Sequence, residues 1–122
     1  MEAEPLAEAL PQEIALEANI SPPRTVSTPE EIDEYVREYA PYRGVDAEEV
    51  LAVLKCESNL NKDAVGDNGR SFGVAQIFLP AHPDISEEQA LDPEFSIRFI
   101  VDAFAAKEQR MWTCARILGY AL

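Results

Sequence analysis

A chain of 122 residues with 23 acidic against 10 basic side chains carries a net charge of −13, which argues against nucleic acid as a partner because no basic patch can displace phosphate counterions. That length allows one domain with a modest core, and 47% apolar residues is an ordinary globular share. No apolar run approaches the ~20 residues of a membrane span, and Met1-Glu2-Ala3-Glu4-Pro5 has neither the basic start nor the apolar stretch of a secretory signal.

Residues 1–27 are expected to form an acidic arm and Pro-rich linker. Leu6, Leu10 and Ile14 recur at four-residue spacing, but Pro5 and Pro11 interrupt them, so a helix there is kinked or restarted at Pro11. The stripe fits an arm docked on the domain; a disordered acidic tail is the alternative. Ser21-Pro22-Pro23 through Ser27 has the composition of an extended linker.

From Thr28 onward the signals sharpen. Thr28-Pro29-Glu30-Glu31 offers a cap, proline at the first helical position and Glu three after the cap. Ile32, Tyr35, Val36 and Tyr39 make the apolar face, with Pro41 and Gly44 expected to end the helix. Asp46-Ala47-Glu48-Glu49 caps the next helix in the same manner, and Val50, Val53, Leu54 and Glu57 share one of its faces. A carboxylate on that face loses water on folding, which raises its pKa. A carboxyl that keeps its proton near neutrality is what glycosidic cleavage requires. A helix-end Glu in solvent is the simpler reading.

Between Asn59 and Ile77 the chain is polar and Gly-rich, with tight turns at Gly66, Gly69 and Gly73 and short strands expected around Phe72 to Ile77. Pro80 and Pro83 bracket a loop that holds His82, the only histidine, expected at the surface. Asp92-Pro93 opens a long helix with Ile97, Ile100, Val101 and Phe104 on one face, and a last helix spans Met111 to Leu118.

Taken in order, Glu57-Ser58, Gly73-Val74-Ala75-Gln76-Ile77, Leu91-Asp92-Pro93-Glu94-Phe95-Ser96-Ile97 and Trp112 resemble the lytic transglycosylase (SLT) domain, a family that shares the goose-type lysozyme fold. The likeness covers roughly residues 46 to 120. It implies a mainly α, lysozyme-like α+β domain over residues 28–122, with a small irregular β/loop segment beside the catalytic helix. In such a domain Glu57 is the catalytic acid, then the base, in non-hydrolytic cleavage of the β-1,4 bond between N-acetylmuramic acid and N-acetylglucosamine in peptidoglycan. The product carries a 1,6-anhydromuramoyl end, and no cofactor or metal takes part. Ser58 and Gln76 correspond to family residues that touch the substrate, although either could instead bond backbone. Val74-Ala75 replaces a bulkier Leu-Met and is expected to reshape the cleft floor. Trp112 is expected to pack beneath the cleft. After it the family's Tyr-Asn-Ala-Gly, whose Tyr contacts the catalytic Glu, is not reproduced; Gly119 takes the tyrosine position, and Tyr120 one step later is the candidate for that substrate-site role in a shifted register.

Gly66-Asp67 with Phe72-Gly73 and Gln76 is also similar to goose-type lysozyme, where an aspartate at the position of Asp67 positions the attacking water. A second family aspartate corresponds here to Phe78, so one supporting carboxylate is missing. Asp67-Asn68-Gly69 is equally a strong turn signal. Hydrolysis by a muramidase is therefore the alternative activity, and a non-catalytic glycan-binding module a second. A calcium loop is dismissed: Val65 interrupts the ligands and Ala75 stands where the bidentate Glu belongs.

Cys56 and Cys114 are either two buried thiols or one extracytoplasmic disulfide. A bridge would clamp the catalytic helix to the last one and contribute about 4 kcal/mol in the loop-entropy model. With peptidoglycan as partner, the expected location is periplasmic, cell-wall or secreted.

Overall fold

The structure is a computed structural model and describes residues 25–121; the arm expected over residues 1–20 lies outside the described residues. The fold is mainly helical with a small three-stranded antiparallel sheet. Helix α1 (Pro29–Tyr42) starts at a full capping box: Thr28 accepts from the Glu31 N–H while the Glu31 carboxylate accepts from the Thr28 N–H. The unit begins earlier still, because Val26 is buried in the core and the Ser27 N–H donates to Glu31. Pro41 does not end the helix but sits within its last turn, where it removes one backbone hydrogen bond; the chain leaves through Gly44 at φ +74°.

Helix α2 (Ala47–Ser58) is capped by Asp46, which accepts from the Glu48 N–H at 2.8 Å without the reciprocal glutamate bond made at Thr28. It buries Val50, Leu51, Val53 and Leu54, and Asn59 stops it in the left-handed conformation. The chain then folds into strands β1 (Val65–Gly66), β2 (Ser71–Phe72) and β3 (Ile77–Phe78), paired Val65 to Phe72 and Phe72 to Ile77. Gly73 makes the turn after β2 possible. Its φ is +86°, and a Cβ there would lie 2.0 Å from the Ala90 carbonyl oxygen, so only glycine fits that approach.

A short helix, α3 (Glu87–Leu91), was not anticipated, although Ser86 and Gln89 form a capping box whose spacing is legible in the sequence. Helix α4 (Pro93–Ala105) opens at Asp92 as expected and buries Ile97, Ile100, Val101 and Phe104. The last helix is shorter than Met111 to Leu118: a 3-10 turn at Gln109–Met111 gives way to α5 (Thr113–Leu118) across Trp112, whose backbone is extended. That break turns the indole into the core, where Trp112 is 4% exposed and meets Phe99 and Phe104 edge-on. Buried residues of α1, α2, α4 and the sheet segment form one hydrophobic cluster. None of the described helices is long and apolar enough to cross a membrane.

Candidate functional site

Glu57 lies in the last turn of α2, half-buried. The apolar positions before it are packed into the core, so the carboxyl rests on a fixed element rather than a loop. Burial pushes its pKa above the usual carboxylate value, the negative charge of Asp67 pushes it the same way, and a backbone hydrogen bond from Cys114 opposes both. That bond runs from the Cys114 N–H to Glu57 Oε2 at 3.3 Å.

Cys56 and Cys114 form a disulfide with their Cα atoms 6.0 Å apart. It joins the residue before Glu57 to the first turn of α5, the same turn that supplies the amide to Glu57. Cys56 is on the exposed flank of α2, whereas Cys114 is buried.

Ser58 donates its hydroxyl proton to the Val74 carbonyl at 2.7 Å, with a longer contact to Leu54 O within the helix. It therefore ties the end of α2 to the turn between β2 and β3. Gln76 occupies a left-handed position at φ +51°, and its Nε2 donates to the Ala64 and Gly73 carbonyls. Its Oε1 lies against Gly66, where a Cβ would come within 2.5 Å. Gln76 thus holds the sheet segment together through its amide while also bordering a cavity.

Asp67 is exposed in the turn between β1 and β2, with Asp67 and Asn68 both left-handed and Gly69 following at φ +83°. Its carboxylate accepts from the Ser71 hydroxyl, and its carbonyl accepts from Arg70 Nε. The turn role is realised, and the same carboxylate is near enough for its charge to act on Glu57.

An apolar cavity of about 280 Å³ opens beside Gln76, walled by Phe78, His82, Phe99, Met111 and Trp112. Trp112 lies at its inner side, with the indole N–H donating to the Ala75 carbonyl at 2.8 Å. His82 is not a surface residue as expected: it is half-buried, with its ring edge-on to Phe99 at 5.0 Å. The loop itself stays exposed at Pro80, Ala81 and Pro83, and only the imidazole is partly covered, against the Phe99 ring. Val74 and Ala75 are fully buried, so their small size is absorbed in the core and not at a cleft floor.

Tyr120 is half-buried and packs against the core beyond α5, its N–H bonded to the Ala115 carbonyl. Among the described residues its hydroxyl makes no hydrogen bond, and none joins it to Glu57. The sequence did not reveal the Cys114 amide or the Phe99–His82 wall, because both arise from contacts between distant segments. Among the described residues no group of three or more His, Cys, Asp and Glu is placed to hold a metal ion. Compared with protein-family models, curated proteins and solved structures, the chain matches none.

Proposed function

We propose that this chain cleaves the β-1,4 bond between N-acetylmuramic acid and N-acetylglucosamine in peptidoglycan without consuming water. The observation that carries the reading is Glu57: a half-buried carboxyl, held at the end of a packed helix, whose pKa burial raises. Burial favours the protonated form of such a group, which in that form gives its proton to the leaving oxygen and then acts as base once it is ionised. In the transglycosylase scheme that base takes the proton from the muramoyl 6-hydroxyl and a 1,6-anhydro ring closes. The substrate's own N-acetyl group stabilises the positive centre, so a second protein carboxylate is not required, as in the substrate-assisted exceptions to the two-carboxylate rule. The cavity beside Gln76 offers apolar and aromatic walls of the kind that hold sugar rings, with Glu57 outside its lining. The Cys56–Cys114 bridge supports an extracytoplasmic setting.

Hydrolysis is the second reading, favoured by one observation: Asp67 is a second carboxylate whose charge reaches Glu57. Mass spectrometry of soluble products from purified peptidoglycan, with Glu57→Gln as control, separates the two. Products one water lighter, with 1,6-anhydro ends, are expected. Reducing ends would make the activity that of a muramidase and give Asp67 the water. Equal output from wild type and Glu57→Gln would remove Glu57 as the acid, and none from either would sink the catalytic reading and leave a glycan-binding module.

A further inference from the structure

Among the described residues, the Cys114 backbone N–H is the only hydrogen-bond donor to Glu57, and the bridge that places it begins at the adjacent residue, Cys56. We infer that the Cys56–Cys114 disulfide is a positioning device for the acid: it keeps α5 docked so that the Cys114 N–H fixes Glu57 Oε2 and leaves Oε1 for the substrate. The inference rests on Glu57 being the acid proposed above.

Helix α5 has only six residues, and a helix that short has little stability of its own. Its outer face is poorly covered, with Ile117 72% exposed and Leu118 43% exposed. Trp112 anchors the residue ahead of it through Ala75, and Ala115 is buried beneath it. The indole bond and the buried Ala115 hold α5 without covalent linkage. The bridge adds a covalent anchor at its first turn. Successive residues on a helix project about 100° apart, so Cys56 reaches α5 from the outer flank of α2 while Glu57 meets it on the neighbouring face. The covalent bond and the hydrogen bond thus hold the same turn from two directions.

Other charged groups nearby are engaged elsewhere. Asp67, in the β1–β2 turn, is the ionisable neighbour whose charge Glu57 feels. Arg116 of α5 donates to the Arg110 carbonyl and to Thr113 Oγ1, and Arg70 donates to the Asp67 carbonyl and lies over the Phe78 ring. Lys55 of α2 lines a different hollow with Glu30 and Asp33. Removing the bridge therefore removes a donor from Glu57 with no cation among these placed to replace it.

The test is carbon-13 NMR of the Glu57 side-chain carboxyl, followed through a pH titration together with the Cys114 amide proton. It is done on the oxidised protein, on protein reduced with a dithiol, and on the Cys56→Ala/Cys114→Ala variant. The dithiol supplies two electrons and two protons, the S–S bond becomes two thiols, and the reagent leaves as its cyclic disulfide. In oxidised protein the Cys114 amide shift should follow the Glu57 midpoint, and Glu57→Gln should abolish that response. In the reduced or variant protein the amide should stop following and the Glu57 midpoint should rise, because the donor that opposed protonation is gone. Product release from peptidoglycan should fall by about ten- to a hundredfold, the scale of a small misplacement of a reacting group. A Glu57 midpoint equal in oxidised and in folded, bridge-free protein would overturn the inference, even if melting temperature drops. A Cys114 amide that ignores the Glu57 titration in oxidised protein would overturn it too, and needs no variant to fold. A midpoint that moves while neither form yields product would uphold the positioning role and remove the catalytic reading instead.

Discussion

Glu57 bears an electrostatic cost that folding imposes. Its folded pKa lies above the ordinary carboxyl value because burial, helped by Asp67, disfavours the ionised form. A carboxyl raised in this way favours the folded state most below its unfolded pKa, and that contribution is lost as pH rises through the higher folded value. Glu57→Gln should therefore raise the melting temperature at pH 7, and the gain should shrink toward zero as pH falls below 4.5. Thermal scans of both proteins at the two pH values check this; an equal gain at both would mean that ionisation is not the cause. Gly73 makes a second demand at this scale. Gly73→Ala must relieve a 2.0 Å clash with the Ala90 carbonyl as well as hold φ +86°, a cost of about 3 kcal/mol or more. Gly69→Ala, at φ +83° with open space around it, should cost only about 1–2 kcal/mol. Urea denaturation of the two variants gives the difference directly.

Among the elements, the ends of helices decide how the site is built. The end of α2 is tied to the sheet segment by Ser58 and to α5 by the disulfide. Ser58→Ala removes the first tie and leaves the buried Val74 carbonyl without its Ser58 donor, which should cost about 1–2 kcal/mol. If Ser58 instead served the substrate alone, stability would stay put and KM for wall fragments would rise. The helices α1, α2 and α4 were legible because Thr28, Asp46 and Asp92 are caps, and caps are local chemistry. The short helix α3 had a signal of the same kind in Ser86 and Gln89. The break at Trp112 had none, since it depends on the Ala75 carbonyl, which lies 37 residues away in sequence. Of the candidate site, the half-burial of Glu57 was readable from its place on an apolar stripe. Whether the Ser58 hydroxyl and the Gln76 amide bond backbone or sugar was not readable, because their partners, Val74, Ala64 and Gly73, become neighbours only when the sheet forms.

At the scale of the whole molecule, if the proposed activity holds, the net charge of −13 sets the terms of approach to an anionic wall. Residues 1–54 hold thirteen acidic and three basic side chains, residues 55–122 ten and seven, so most of the excess lies ahead of Glu57. Raising ionic strength from about 0.01 M to 0.15 M shortens the screening length from about 30 Å to about 8 Å. Lysis of intact anionic walls should accordingly rise over that range, read as turbidity loss; a steady fall would count against repulsion as the limiting factor. The disulfide has a different, topological consequence. Its cysteines are 58 positions apart, so Glu57, the sheet, α3 and α4 all lie within a single covalent ring. Cutting any one peptide bond in that ring opens it without parting the chain. A molecule nicked once by a protease in the Asp67 turn or the Pro80–Pro83 loop would stay in one piece, and its two fragments would separate only after a thiol is added.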